Sequence, residues 1–345
     1  MHHEMVEESN SGTVLSVRGL KTHFFTKIGV LKAVDGLDLD LHQKEILGLV
    51  GESGCGKTAT ASSILKLIEP PGRIVEGSII FDGADLVKMS EPEIRRIRGG
   101  KISIIFQDPR SFLSPYLTVE SQFTDVLIQH LDLVLREGES QVANAQGMRD
   151  FAHDSFVQLL TDMMISDPGR ILKTYPHQLS GGMSQRIVIG MALLAKPKVI
   201  IADEPTTNLD VTVQAQILQL LKNRVRAFGA SLILITHDMG IVAGICDKVA
   251  VMYAGQIVEY GSVHDVFGDP KHPYTQALIR ASPRLQKNIP MLQSIKGSAP
   301  DLINPPSGCL FHPRCPFVFD RCRVEHPQEL ALDDRRVRCH LYDQR

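Results

Sequence analysis

The chain has 345 residues, enough for one sizeable domain and an appendage, with 37 lysines and arginines against 39 aspartates and glutamates. A net charge of −2 carries no global bias toward nucleic acid or anionic lipid. No apolar run approaches the roughly 18 to 20 residues of a spanning helix, and Met1 to Gly12 is polar and acidic without a secretory h-region, so any membrane association is expected to come through partners.

In chain order, residues 13 to 50 and about 74 to 82 read as short strands of a β-rich unit. Within them the apolar run Ile46 to Val50 predicts a buried strand, and Thr58 to Leu67 predicts a helix rich in small and aliphatic residues. Between strand and helix lies GESGCGKT, which fits G-x-x-x-x-G-K-[ST] with Gly51, Gly56, Lys57 and Thr58 at the fixed positions and Ser53, Gly54 and Cys55 inside the loop. Such a loop turns backbone N–H groups and a helix N-terminus toward a polyphosphate. Lys57 is expected to reach the β- and γ-phosphates, and the Thr58 hydroxyl to ligate Mg²⁺.

From 111 to 175 the pattern is helical and more polar. LSGGMSQR then places Leu179, Ser180, Gly181 and Gly182 ahead of a helical stretch from Met183 to Leu194, a second glycine-bearing helix start able to hold phosphate. One nucleotide needs one P-loop, so Ser180 and Gly182 are expected to face ATP held by a partner subunit. Next, Val199 to Ala202 predicts a strand that delivers two carboxylates: Asp203 for the Mg²⁺ shell and Glu204 for the attacking water. Residues 185 to 253 alternate helix and apolar strand, as in a mostly parallel sheet, and LILITHD ends one of those strands at His237.

These motifs, in this order, resemble the ATP-binding cassette (ABC) ATPases over nearly the whole chain. The resemblance implies an α/β fold: a RecA-like P-loop NTPase core with a β-rich N-terminal subdomain, a helical signature subdomain inserted at about 111–184, and a small irregular C-terminal metal-binding extension. The ATPase domain is then 13–260 and the extension 261–345. It also implies roles. Gln107 in IIFQDP takes the Q-loop position, beside metal or water. Asp210 in TTNLD takes the D-loop position at the dimer interface, and His237 that of the switch histidine. Phe24, with Phe25 as its rival, takes the place of the aromatic that stacks on adenine. Thr58, Asn208 and Ser184 depart from the commonest pattern and remove no catalytic group.

Beyond about Gly261, GDPKHPYTQALIRASPRL at 268 to 285 resembles the segment that follows the cassette in dipeptide and oligopeptide importer ATPases, a group that includes nickel importers; YPHQLSGGM and ADEPTTNLDVTVQAQIL fit the same subfamily. The implied function is ATP hydrolysis that drives peptide uptake, by a peripheral subunit on the cytoplasmic face of a bacterial inner membrane. Its partners would be a paralogous ATPase in a heterodimer, two integral permeases and, through them, an extracytoplasmic solute-binding protein, with no nucleic acid. Import of nickel or another small solute, and a soluble non-transport ABC ATPase, stay open as alternatives.

Four of the six cysteines, Cys309, Cys315, Cys322 and Cys339, fall in this Pro-rich tail. A small segment with little apolar core needs a staple; disulfides are disfavoured in a reducing cytosol, and the C-x₂₋₄-C pair usual for zinc is absent. The spacing resembles the set that binds a [4Fe-4S] cluster in dipeptide importer ATPases, and Arg314, Arg321, Arg323 and Arg338 are expected to offset the thiolate charge. Zn²⁺ and free thiols remain alternatives. Cys55, inside the P-loop, and Cys246 are expected to be incidental.

Overall fold

The computed structural model describes residues 12–134, 145–207, 209–282 and 295–343. Its strands, in chain order, are β1 (Thr13–Thr26), β2 (Gly29–His42), β3 (Ile46–Val50), β4 (Gly72–Phe81), β5 (Ala84–Asp85), β6 (Ile102–Ile105), β7 (Val199–Asp203), β8 (Ser231–Thr236), β9 (Lys248–Tyr253), β10 (Gln256–Ser262), β11 (Leu330–Leu332) and β12 (Arg335–Val337). Among the described residues they form two sheets: an antiparallel one ordered β2-β1-β4-β5, and a larger one ordered β11-β12-β10-β9-β3-β8-β7-β6.

The larger sheet follows from unbroken apolar runs. β3, β7 and β8 are buried at every position, the signature of strands covered on both faces. Period-two alternation sends their side chains into two different cores. Ile46, Val50, Ile200, Ala202, Leu232 and Leu234 face the helical side, where Phe123 and Phe156 pack with ring centroids 5.2 Å apart. Leu47, Leu49, Ile201, Ile233 and Ile235 face the antiparallel sheet and meet Leu15, Leu37, Leu39 and Phe81. β3 pairs in parallel with β8 on one side and β9 on the other, and β6, β7 and β8 continue in parallel. The loops after β3, β7 and β8 therefore emerge at one edge, the carboxyl ends of the strands, where α/β sheets bind ligands.

Three sequence expectations shift. The N-terminal strands are not short: β1 and β2 are 14 residues each, joined as a hairpin closed at Thr26 and Gly29. The helix after the P-loop is Lys57–Ile64 rather than running to Leu67, because Lys66 takes a left-handed φ of 50° that stops the helix. The tail is less isolated than its composition implies: β12 pairs with β10 (Glu259 opposite Val337, Tyr260 opposite Arg336), so residues after 261 extend the larger sheet itself. Strands of three residues are too short to leave a periodic pattern. Phe311 closes the junction, its ring 5.2 Å from that of Tyr253 and 5.4 Å from that of Tyr274. Among the described residues no helix is long and apolar enough to cross a membrane.

Candidate active site

The loop after β3 depends on its glycines. Gly56 has φ 110°, and a Cβ there would lie 2.2 Å from the Ala33 carbonyl oxygen. A Cβ on Gly51 would lie 2.2 Å from that of Met252. Ser53 and Gly54 are exposed at the tip, whereas Cys55 is buried and burial pushes its thiol pKa up. Lys57 begins the helix Lys57–Ile64, and its buried ammonium donates to Gly51 O at 2.8 Å and Glu52 O at 2.9 Å. The N-cap is Gly56 itself, so no side chain caps this helix start.

Asp203, the last residue of β7, is 3% exposed. Burial raises its pKa, against a hydrogen bond from the Thr58 side chain that lowers it. Its Oδ1 has no hydrogen-bond partner. A buried carboxylate oxygen left open beside a threonine hydroxyl fits a hard divalent cation, so Thr58 and Asp203 suit Mg²⁺.

Glu204 leaves the strand with φ 46°, its N–H bonded to Ile235 O of β8 at 2.9 Å. The left-handed turn separates the two carboxylates. Three side chains converge on Glu204: Gln107 Nε2 donates to Oε2 at 3.2 Å, Thr207 Oγ1 donates to Oε2 at 2.9 Å, and His237 Nδ1 lies 3.2 Å from Oε1. Gln107, Glu204 and His237, scattered over 130 positions of sequence, thus meet at one carboxylate. Thr207 is a site residue that motif reading passed over. Its signal was its spacing: three residues after Glu204 it closes a turn, with its N–H on Glu204 O at 3.2 Å.

The second glycine-bearing helix, Gly181–Leu193, starts elsewhere. Ser180 is its N-cap, with Oγ accepting from Met183 N–H at 3.3 Å. Ser180, Gly181 and Gly182 line a cleft of about 620 Å³ together with Asp108, Arg110 and Asp210, and no residue of the P-loop lines it. Asp210 caps the helix Val211–Phe228 through Val213 N–H at 2.9 Å. Asn208 lies outside the described residues. Phe24, half-buried on β1, packs its ring on Gly72, where a Cβ would come within 2.6 Å of it. Phe25 is 38% exposed and lies beneath the Arg73 guanidinium, 4.2 Å from its ring centroid.

The tail cysteines correct one expectation. Among the described residues no three His, Cys, Asp or Glu side chains are gathered closely enough to hold a metal ion, so the expected metal-binding character of the extension is not shown. Burial pushes the Cys309 thiol up to about 11 and that of Cys339 up to about 12. The donor set still suits a thiolate-bound group. Cys309 N–H donates to Cys322 O at 2.9 Å, which sets two of the four cysteines side by side. The expected arginine compensation changes too: Arg314 is bound to Glu52, and Arg321 to Glu325 and Asp343.

Comparison with known proteins agrees with this geometry. Residues 34–207 match the model of the ABC transporter family, and residues 258–322 that of the oligopeptide/dipeptide transporter C-terminal region. The chain is 46% identical over 334 residues to the dipeptide transport ATP-binding protein DppD of Bacillus subtilis, covering 96% of each. It is 42% identical to the oligopeptide transport ATP-binding protein OppD of Escherichia coli, covering 96% of this chain and 94% of that one. Among solved structures, the dimeric post-hydrolysis state of the cassette MJ0796 bound to ADP and Pi superposes with a TM-score of 0.59 at 24% identity, over 72% of this chain and 98% of that one, which bears on fold alone. The cbiO1 protein of Clostridium perfringens, part of the ABC transporter complex cbiONQ, gives 0.58 at 26% identity, over 75% and 92%.

Proposed function

The chain belongs to the ABC transporter ATP-binding family, and from that premise we propose that it hydrolyses ATP to energise an importer of di- or oligopeptides. The observation that carries the chemistry is the meeting of Gln107, Thr207 and His237 on Glu204, beside the Lys57, Thr58 and Asp203 group. Phosphoryl transfer asks a protein mainly for positioning and charge stabilisation. Lys57 and the uncapped amides of its helix start hold the phosphates. Bound Mg²⁺ would neutralise phosphate charge from Thr58, Asp203 and Gln107. Glu204, fixed by donors on both oxygens, orients a water and takes its proton, while His237 contacts the γ-phosphate. Phe24 rather than Phe25 takes the adenine, since Phe25 already offers a face to Arg73.

Ser180, Gly181, Gly182 and Asp210 form the other half-site, facing ATP on a second, paralogous ATPase subunit. Two integral permeases would anchor the pair at the cytoplasmic face of the membrane and reach an extracytoplasmic solute-binding protein. Glu204→Gln tests the catalytic reading. In the assembled complex, phosphate release should fall about 10²- to 10⁴-fold while ATP still binds; near-normal turnover would remove Glu204 from the catalytic role.

In the tail, Cys309, Cys315, Cys322 and Cys339 are the ligands of a [4Fe-4S] cluster, a reading supported by their spacing and by the backbone bond from Cys309 N–H to Cys322 O that holds two of them side by side. A cluster held there would supply a four-thiolate cross-link to a segment with little core of its own. Anaerobically purified protein should contain about four irons per chain; about one zinc and no iron would replace the cluster with Zn²⁺.

A further inference from the structure

The P-loop is gripped from outside the ATPase motifs. Arg314, one residue before Cys315, has a side chain only 4% exposed that ends on Glu52, the second residue of GESGCGKT. Its guanidinium forms a bidentate fork: Nη1 donates to Oε2 at 2.6 Å and Nη2 to Oε1 at 2.9 Å. The fork is aimed from behind, because Nε donates to Lys296 O at 3.0 Å and the guanidinium lies about 6 Å from the rings of Tyr253 and Phe311. Glu52 is held at its other groups as well. Its N–H donates to the Tyr274 hydroxyl at 2.9 Å, and its carbonyl accepts from Lys57 Nζ at 2.9 Å. Tyr274 belongs to the helix Pro273–Ala281, so carboxylate and N–H are both secured by residues beyond 261 and the carbonyl by the phosphate-binding lysine.

We propose that Arg314 is a positioning residue for ATP binding, which locks the P-loop through Glu52 and makes nucleotide affinity depend on the folded tail. The proposal rests on the reading of the P-loop as the ATP site. Two effects act together. The fork restricts the conformation of Glu52 and hence the carbonyl that receives Lys57. It also cancels a carboxylate that lies only a few ångströms beyond that carbonyl, within a Debye length of about 8 to 10 Å of the ammonium that receives the phosphates. Left unpaired, that carboxylate repels an anionic ligand. Coupling of this kind is reciprocal, so ATP must stabilise the tail as the tail stabilises the P-loop.

Binding of a fluorescent ATP analogue with Mg²⁺ to the full-length chain tests this. Arg314→Ala should weaken binding about 10-fold, raising KM for ATP more than it lowers kcat in the assembled complex. Adding Glu52→Gln, which removes the unpaired charge without rebuilding the fork, should restore part of that affinity, which loss of tail packing alone does not predict. ATP should slow protease cleavage within 295–343 in the wild type and not in Arg314→Ala. Unchanged affinity in Arg314→Ala, or a double variant as weak as the single, overturns the proposal. Should Arg314→Ala fail to fold, Arg314→Lys keeps the charge and loses the fork; several-fold weaker binding is then expected, and an unchanged Kd overturns the proposal. A wild-type chain that binds no ATP would fail the reading of the site instead.

Discussion

The two glycine-bearing helix starts differ in how their N–H groups are satisfied. At Lys57–Ile64 the N-cap is Gly56, with no side-chain hydrogen bond to the first turn. At Gly181–Leu193 the chain caps itself through Ser180 Oγ. An uncapped start leaves its orphan donors for a ligand, which in the proposed reading is a phosphate held beside Lys57 with its cation at Asp203. A start capped by its own serine is stable alone and can present that hydroxyl to a nucleotide bound elsewhere. A third start, Pro273–Ala281, is capped by the neutral imidazole of His272, whose Nδ1 accepts from Tyr274 N–H at 3.0 Å. It joins core to tail, its Tyr274 hydroxyl accepting from Glu52 N–H.

The strongest way to break this contrast is to put a methyl group on each glycine. Gly56→Ala meets both the φ of 110° and the Ala33 carbonyl, so the loop must deform. At about 3 kcal/mol of strain the ATP affinity should fall at least ~10²-fold. Gly182→Ala, whose Cβ would stop 3.0 Å from a Val213 methyl, should bind ATP at its own P-loop as the wild type does. Equal losses measured by nucleotide titration would erase the distinction.

A smaller effect separates the imidazole cap from the others. His272 is 1% exposed, and burial lowers its pKa to about 3. The folded state keeps it neutral while the unfolded chain protonates near 6.5, so the cap's contribution is complete above that pH and is lost as pH falls toward 3. Between pH 6.5 and 5 the loss is about 2 kcal/mol. Burial shifts its neighbour Glu259 in the opposite sense, so the test is the difference between wild type and His272→Asn. Denaturant melts should show a stability gap that shrinks as pH falls; a gap independent of pH would mean that His272 takes up its proton alike in the folded and unfolded chain.

Ser180→Ala is the mildest. Losing the cap should cost about 1 kcal/mol in the thermal melt and leave ATP affinity at this chain's own P-loop unchanged, because that loop does not line the Ser180 cleft. Partner-site hydrolysis in a mixed dimer should drop. A matching loss at the chain's own site would join the two half-sites into one.

The sequence by itself determined what is local or periodic. Ile46–Val50 and the strand from Val199 are runs whose burial on both faces follows from their composition, and GESGCGKT sits where a strand must turn into a helix. Those readings held because a strand end or a phosphate loop is specified by neighbours in the chain. Tertiary structure decided the encounters between distant residues. Nothing near Gln107 or His237 indicates that both reach Glu204; parallel pairing of β7 with β8 brings the strand ends together. Thr207 was overlooked because a threonine in a turn looks like a cap. The tail shows the limit most clearly: its proline content suggested a unit needing its own staple, yet β12 pairs with β10 and Arg314 reaches back 262 residues to Glu52. A three-residue strand has no period to read, and an arginine's partner is chosen by the fold that aims it.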